Sequence, residues 1–373
     1  MSLTRLLVFA LALAATPAAP AAAQPPILDV HLHASLAADQ GPPPLAMCTP
    51  FQGFDAWDPR RPFTDQFMER VKNPTCSDPI WSPTTDDEVR TRTLAVMERL
   101  NVVGVLSGPA DLVEAWRRTR PERFIPGVAF SLAPEETVDW ARGLHRDGRL
   151  QVFGEVITQY GGIAPDDPRM EPYWALAEEL DIPVGIHVGT GPPGVIYMGA
   201  QGYRARLHSA LTMEEVLVRH PRLRVYLMHA GYPLIDDLLV LLYAHPQVHV
   251  DVGVIAYTQP REAFYRYLQR IVEAGFVSRI LFGSDQMIWP ETIERAVNVI
   301  REAPFLTDAQ KRDILYNNAA RFLRLTPAQI AAHHELGERR ERTRSSPGRG
   351  GGPSEAWWRG QHRLWRLSLL RHC

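Results

Sequence analysis

The stretch 27-ILDVHLHA-34 places two histidines, His31 and His33, inside a run of apolar and β-branched residues. Side chains alternate between the two faces of a β-strand, so residues two apart point the same way. We therefore expect both imidazoles on one face of a strand, where they can chelate a single ion. A lone histidine in an apolar strand is more often a hydrogen-bonded core residue, so the interpretation depends on the rest of the chain.

Seven further apolar runs follow this stretch and alternate with segments of helical periodicity. They span residues 101–108, 124–132, 151–158, 182–189, 224–231, 248–256 and 279–286. Strands and helices that alternate in this way predict the α/β class and a parallel (β/α)8 TIM barrel. The competing architecture is a doubly wound open sheet, which would need a glycine-rich phosphate loop after the first strand, and HLHASLAADQ is not one.

Capping-box spacing predicts three helix starts between these strands. The sequences are Thr85 to Glu88, Thr212 to Glu215 and Thr307 to Gln310.

Two segments depart from the strand-helix alternation. Residues 35–84 form a long insertion without helical periodicity after the first strand, which is typical of a lid or a binding loop. The insertion holds Cys48 and Cys76, which could pair in an oxidising compartment or remain two separate thiols. Residues 337–373 form a basic, Gly/Pro-rich tail of a composition typical of disorder. The barrel is accordingly assigned to residues 24–336.

Residues 1–23 read as a secretory signal peptide. Arg5 supplies a positive charge, residues 6–15 are apolar, and Ala21 to Ala23 offer a cleavage site before Gln24. Cleavage after Ala23 predicts an exported, periplasmic protein; the alternative is an uncleaved amphiphilic tail. No later apolar run is long enough to span a bilayer, so we expect no integral membrane segment in the mature protein.

Charge and length restrict the partners. The chain has 373 residues, 40 of them basic and 42 acidic, for a formal charge of −2. A near-neutral protein has no electrostatic signature of nucleic-acid binding, so we expect a small-molecule substrate and no nucleic acid. The sequence does not determine the oligomeric state, and a homo-oligomer is left open.

The carboxyl ends of the predicted strands carry six candidate metal ligands. They are His31 and His33 (strand one), Glu155 (strand four), His187 (strand five), His229 (strand six) and Asp285 (strand eight). These ends converge on one mouth of a (β/α)8 barrel. Interior charges are costly unless they are paired or coordinated, so the set predicts a metal site. Histidine and carboxylate ligands without cysteine favour Zn²⁺ over Mn²⁺, Fe²⁺ or Co²⁺.

These motifs resemble the amidohydrolase superfamily, in the branch that includes aminocarboxymuconate semialdehyde decarboxylases and 2-pyrone-4,6-dicarboxylate lactonases. The resemblance covers residues 26–325. It rests on DVHLH (29–33), FGEV (153–156), IPVGIHVG (182–189), LMHAGYP (227–233), ILFGSD (280–285) and ILYNNAARFL (314–323).

The resemblance implies that His31, His33 and Asp285 bind one metal ion, joined by His187 in a mononuclear centre. With a second ion, it implies that Glu155 bridges the pair and that His187 and His229 hold the second. In mononuclear members the strand-six histidine is instead an acid or a polarising group. One or two ions remain open.

The predicted activity is a metal-dependent hydrolase of an ester, lactone or amide bond. Asp285 would take the proton of the attacking water, and His229 would stabilise the oxyanion or orient the nucleophile. A non-oxidative decarboxylase is the alternative, and a non-catalytic exported metal-binding barrel is the weaker one.

Four further residues are candidates for substrate binding. Arg204, Arg206 and His208 follow strand five and could clamp a substrate carboxylate, although a solvated basic loop is an equal interpretation. Trp289 could line the pocket, although packing explains an aromatic residue there as well.

Overall fold

The computed structural model describes residues 24–345, apart from residues 52 and 55. The predicted signal peptide and the part of the predicted tail after Ser345 lie outside the described residues. Within the described range, no helix combines the length and the apolar character that a bilayer crossing requires.

Eight strands form one parallel sheet in which each strand pairs with the next along the chain, as the strand pattern predicts. The strands of the described chain are β1 (Ile27–His33), β2 (Ala46–Met47), β3 (Ile80–Trp81), β4 (Val102–Ser107), β5 (Phe124–Phe130), β6 (Val152–Val156), β7 (Val184–His187), β8 (Val225–Met228), β9 (Val248–Asp251) and β10 (Ile280–Leu281). All except β2 and β3 belong to the parallel sheet.

The first and last strands close the sheet into a barrel. The Val30 N–H donates to the Phe282 carbonyl at 2.9 Å, and the Asp285 N–H donates to the His31 carbonyl at 2.7 Å. The predicted TIM barrel is therefore confirmed, with its seam between β1 and the segment that follows β10.

Helices pack around the barrel between successive strands and after the last strand, and the first helix lies in the insertion. They are α1 (Phe63–Lys72), α2 (Asp86–Leu100), α3 (Ala110–Arg117), α4 (Val138–Arg146), α5 (Glu171–Glu179), α6 (Glu214–Arg219), α7 (Ile235–Ala244), α8 (Ile255–Thr258), α9 (Arg261–Glu273), α10 (Thr292–Arg301), α11 (Asp308–Arg312), α12 (Asn318–Phe322) and α13 (Pro327–Ser345). A π-helical turn, Asp313–Asn317, joins α11 to α12.

Two of the three predicted helix starts are confirmed. The Thr85 hydroxyl accepts a hydrogen bond from the Glu88 N–H at the start of α2, and Thr307 begins α11 with a complete capping box. The start predicted at Thr212 is wrong, because that residue lies inside a 3₁₀ turn. The side chain of Ser209 caps this turn, and α6 follows directly from it.

Apolar side chains fill the end of the barrel where the strands begin. Leu28, Val103, Val152 and Leu281 pack there with Tyr316 and other residues of the C-terminal helices. A larger apolar layer lies between the strands and the surrounding helices. The polar residues described below therefore gather at the opposite end, where the strands finish.

The insertion after β1 is more ordered than the sequence suggests. It contains α1 and the two-stranded antiparallel ribbon β2–β3, so the expectation of a segment without helix is wrong. Helix α1 buries none of its residues fully, and Phe63 and Phe67 line a cavity of about 230 Å³ between the insertion and the loop after β7, which contributes Pro193 and Gly194. Cys48 and Cys76 form a disulfide with their Cα atoms 5.9 Å apart, which resolves the alternative left open above.

Helix α13 continues through Gly337, where the predicted tail begins. The helix packs closely on the barrel at this residue, since a Cβ on Gly337 would lie 2.6 Å from the carbonyl oxygen of Gln24.

Candidate metal centre

The barrel brings the six predicted ligands into two adjacent groups at the carboxyl ends of the strands. His31, His33 and Asp285 make up the first donor group, and Glu155, His187 and His229 the second. Within each group, one ligand atom per residue lies within 4.8 Å of the others. Parallel strands in sequence order account for this convergence, because every strand ends at the same mouth.

The first donor group is compact. Asp285 Oδ1 lies 3.0 Å from His33 Nε2 and 3.7 Å from His31 Nε2. Glu155 faces the same two nitrogens, with Oε2 at 3.6 Å from His33 Nε2 and Oε1 at 4.0 Å from His31 Nε2. Glu155 therefore lies between the two donor groups.

Two nitrogens of the first donor group have no hydrogen-bond partner in the described part of the chain. His31 Nε2 and His33 Nε2 are both buried and both lack one, although carboxylate oxygens lie nearby. Buried polar atoms nearly always have partners, so orphaned imidazole nitrogens beside two carboxylates fit a divalent cation. The cluster can thus hold such an ion.

The pKa values of the donor side chains also indicate that the cluster favours a positive charge. Burial lowers the pKa of His31, but the carboxylates of Asp285, Asp251 and Glu155 outweigh it and raise the pKa to about 10. Burial alone would raise the pKa of Asp285, but His31 and His33 hold it below its ordinary value. Asp285 is therefore a carboxylate at neutral pH.

Asp251, at the end of β9, is a site residue that the sequence analysis missed. It is fully buried, and its Oδ2 lies 3.0 Å from His31 Nδ1. Its Oδ1 accepts hydrogen bonds from the N–H groups of His229, at 3.0 Å, and Gly253, at 2.8 Å. An ionised Asp251 requires the proton on His31 Nδ1, which leaves Nε2 free to bind a cation. The available signal was an acid inside the apolar run VHVDVGV.

Asp29 supports the same strand from below. It is fully buried, and its Oδ1 accepts hydrogen bonds from the N–H groups of His31 and Ser284, both at 3.0 Å. Burial raises the pKa of Asp29 to about 7. Asp29 therefore holds the main chain of His31 and Ser284 in place and supports the donor groups from deeper in the barrel.

His229 and Asp285 adopt uncommon backbone conformations. Their φ angles are 58° and 53°, in the left-handed region that few residues other than glycine adopt. Such residues cost about 1–3 kcal/mol each and cluster at functional sites. The His229 ring is oriented by a 3.0 Å contact in which Nδ1–H donates to the Gly253 carbonyl. Its Nε2 therefore carries the lone pair in the neutral ring.

His187 differs from the other candidate ligands because both of its ring nitrogens have partners. Nε2 lies 3.1 Å from the hydroxyl of Tyr160, and Nδ1 lies 3.3 Å from Nδ1 of His208. Burial, with His229 and His208 nearby, lowers the pKa of His187 well below its ordinary value. The second donor group therefore fits a cation less well than the first. Tyr160 was missed from the sequence because it lies on the loop after β6.

The predicted substrate-binding residues are separated in the structure. His208 is buried beside His187. Arg204 and Arg206 are exposed, and Arg204 donates to main-chain carbonyls of its own loop. Trp289 is buried, with its indole N–H donating to the Leu45 carbonyl at 2.9 Å. The structure thus brings His208 to the donor groups, whereas Trp289 packs against the insertion.

Comparisons with known proteins bear on the family and the fold of the chain. The family model described as "Amidohydrolase" matches residues 28–325. Protein fluG of Emericella nidulans is 22% identical over 169 residues, which are 41% of this chain and 18% of that protein. This chain thus spans less than a fifth of that relative.

Two solved structures share the fold. An uncharacterized TIM-barrel protein from Bordetella bronchiseptica is 19% identical with a TM-score of 0.53, covering 82% of this chain and 99% of its own. A probable 2-pyrone-4,6-dicarboxylic acid hydrolase from Acinetobacter baumannii is 16% identical with a TM-score of 0.50, covering 80% and 99%.

Proposed function

Because the chain belongs to the amidohydrolase family, we propose that it is a metal-dependent hydrolase of a small ester, lactone or amide. One observation carries this proposal. Two orphaned histidine nitrogens, His31 Nε2 and His33 Nε2, lie beside the carboxylate of Asp285 at a barrel mouth. A hydrolase needs this pairing of a cation site with an adjacent proton acceptor.

The first donor group would hold the ion, with Glu155 beside it, and zinc is the ion we propose. When bound, a divalent ion polarises a carbonyl group and makes water more acidic. Asp285 then accepts the proton of the attacking water and returns it to the leaving group. The His229 Nε2 lone pair accepts a hydrogen bond from that water and orients it. A role for His229 as an oxyanion donor would require the protonated ring, because Nδ1–H already donates to Gly253.

The experiment is turnover of a panel of esters, lactones and amides by the zinc-loaded protein and its Asp285→Asn variant. Loss of a general base costs about 10²–10⁴-fold in kcat, so we expect a fall in that range with the zinc content measured in parallel. Asp139→Asn, which alters an exposed carboxylate on α4, is the matched control and should retain full activity. A metal-loaded wild type without turnover on this panel and on a panel of aromatic carboxylates would favour a non-catalytic metal-binding barrel.

A carboxy-lyase is the second candidate. The observation that favours it is the engagement of both His187 nitrogens, which suits a centre with one ion. Asp285, a carboxylate at neutral pH, would first take a proton from water and then deliver it to the substrate carbon as the bond from that carbon to the carboxylate breaks and carbon dioxide leaves. Carbon dioxide release from a panel of aromatic carboxylates, without ester or lactone turnover, would select this reaction.

We also propose that the mature protein is exported to the periplasm. The Cys48–Cys76 disulfide supports this, since disulfides persist in oxidising compartments. The test is the intact mass of the protein from the periplasmic fraction, which should begin at Gln24. Protein that retains residues 1–23 in the cytoplasmic fraction would contradict the proposal.

A further inference from the structure

We infer that the cavity between the insertion and the loop after β7 is a second small-molecule site, which takes a neutral molecule with a single aromatic ring. The cavity has a volume of about 230 Å³, and none of the described residues that line it belongs to either donor group. The inference therefore does not depend on the metal centre or on the reaction proposed above.

The wall of the cavity is largely aromatic. The side chains that form it include those of Phe51, Phe54, Phe63, Phe67 and Val71. Phe51 meets Phe54 edge-on, with ring centroids 6.1 Å apart. Phe63 and Phe67 form a second pair, with centroids 6.5 Å apart. Aromatic rings prefer edge-to-face or offset neighbours at such distances, so a further ring in the cavity can pack against either pair in the same way.

The volume of the cavity limits the size of the ligand. An engineered apolar cavity of about 150 Å³ binds benzene, and the present cavity is larger by roughly half. It can therefore hold one six-membered ring with a small substituent. Sites for drug-sized ligands occupy about 300–1,000 Å³, so a ligand of that size would not fit.

The contacts of Arg70, which also lines the cavity, favour a neutral ligand. Its guanidinium donates to the Gly53 carbonyl and lies 5.4 Å from the centroid of the Phe54 ring, over its face. A carboxylate on the ligand would have to compete with these contacts, and a charge without a partner is costly to bury. We therefore expect a neutral aromatic molecule to bind more tightly than an aromatic anion of the same size.

Neighbouring groups hold the wall in place before a ligand enters. Trp57 packs edge-on against Phe63, with centroids 5.8 Å apart. The main chain at Gly194 lies so close to Phe63 that a Cβ there would overlap the ring. Cys48, another residue of the wall, is tied to Cys76 by the disulfide. Because these residues are already ordered, little conformational entropy is lost when a ligand binds.

Isothermal titration calorimetry with toluene tests the inference. Toluene has no group that coordinates an ion, so we expect one saturable equivalent with the same Kd in zinc-loaded and zinc-free protein. Benzoate at pH 7 should bind more weakly than toluene by about tenfold or more. Absence of saturable binding up to the solubility limit of toluene, or tighter binding of benzoate than of toluene, would overturn the inference.

A variant that fills the cavity locates the bound toluene. Val71→Phe adds a ring inside the cavity and should abolish toluene binding. Thr64→Phe is the matched control, because it adds the same side chain at an exposed position of the same helix, and it should bind toluene as wild type does. Unchanged toluene binding in folded Val71→Phe would show that toluene binds elsewhere and would refute the assignment of the site.

A second variant keeps the inference testable if Val71→Phe does not fold. Phe67→Ala removes one ring of the wall and enlarges the cavity, so we expect naphthalene to bind this variant and not wild type. Naphthalene binding to wild type, or no naphthalene binding to folded Phe67→Ala, would contradict the inference. None of these measurements requires turnover, so failure of this inference is distinguishable from failure of the proposed reaction.

Discussion

Asp251 decides which nitrogen of His31 carries the proton. Its Oδ2 lies 3.0 Å from Nδ1, and its Oδ1 is held by two main-chain N–H groups, so the carboxylate cannot rotate away without losing them. A carboxylate accepts hydrogen bonds only, which requires a donor at His31 Nδ1. Below its folded pKa of about 10, His31 carries a proton on each nitrogen, so a bound ion displaces the Nε2 proton while Asp251 keeps the proton on Nδ1.

The substitution Asp251→Asn should weaken metal binding while leaving the fold intact. The amide oxygen can still accept from the main chain, but the amide NH₂ then faces His31 Nδ1 and favours the tautomer with the proton on Nε2. Partners of this kind are worth about 10–100-fold in metal affinity, and we expect a loss in that range by competition with a chromophoric chelator. Asp139→Asn is the control, and unchanged affinity in Asp251→Asn would show that Asp251 does not orient His31.

The pKa of His31 predicts how the metal-free protein responds to pH. Its folded pKa is raised to about 10 from an ordinary value of 6.5, and the pKa of His33 is raised as well. A raised histidine pKa contributes stability that is complete below the unfolded value and is lost as pH rises through the folded value. We therefore expect the free energy of unfolding of the metal-free protein to fall between pH 6.5 and about 10.

Urea denaturation from pH 6.5 to 9 measures this, with zinc-loaded protein as the control. The ion replaces the proton between the same carboxylates, so the loaded protein should show a weaker pH dependence and the apparent zinc affinity should rise over the interval. Equal pH dependence with and without zinc would contradict the assignment of His31 to the ion.

At the scale of elements, two hydrogen bonds anchor the insertion to the barrel mouth and a disulfide cross-links the insertion internally. The Phe51 N–H donates to the Thr258 carbonyl, the Trp289 indole N–H donates to the Leu45 carbonyl, and the Cys48–Cys76 disulfide joins its two halves. The disulfide closes a loop with a sequence separation of 28 residues, which contains α1.

Removing the disulfide should destabilise the folded state by about 3–4 kcal/mol, from the chain entropy of a loop of this length. The variant is Cys48→Ser with Cys76→Ser, measured by urea denaturation. Asp139→Asn, at an exposed carboxylate on α4, is the control and should not change the free energy of unfolding. Zinc content should remain at the wild-type value, because no cysteine belongs to either donor group. An unchanged free energy of unfolding in the double variant would show that the disulfide does not constrain the insertion.

The sequence predicts elements well where a repeated pattern dictates them. All eight barrel strands follow from apolar runs, and the donors follow from the polar residues at the ends of those runs. The last apolar run, residues 279–286, is longer than β10. The chain pairs with β9 only as far as Leu281 and then forms main-chain hydrogen bonds with β1. Helix α1 was missed because its apolar face packs only partly on the core: Met68 and Val71 contact the core, but no residue of the helix is fully buried.

Contacts between loops could not be predicted in the same way. Tyr160 and His208 meet His187 only because the loops after β6 and β7 pack together, and no local pattern in either loop indicates this. Asp251 is an intermediate case. Its burial can be predicted from the strand, but its contacts with His31 and His229 depend on residues that are distant in sequence.

For the whole molecule, the seam of the barrel coincides with the first donor group. Every other pair of neighbouring strands forms a parallel ladder, three of them with a register shift, whereas β1 and the segment after β10 are joined by the Val30–Phe282 and Asp285–His31 hydrogen bonds. His31 and His33 stand on one side of this seam and Asp285 on the other. An ion bound by all three would cross-link the two ends of the sheet.

Removing the ion should therefore loosen the barrel at the seam before it loosens elsewhere. A ligand at about one hundred times its Kd adds about 2.7 kcal/mol to the stability of the state that binds it. We expect hydrogen–deuterium exchange in the zinc-free protein to increase in peptides that cover residues 27–33 and 280–287. Peptides of β5 are the internal control and should change least, because β5 pairs with β4 and β6 and does not border the seam. A uniform increase in exchange around the barrel would mean that the ion stabilises the fold globally and does not act as a cross-link at the seam. An increase confined to the seam would mean that the residues proposed to carry the chemistry also hold the two ends of the sheet together.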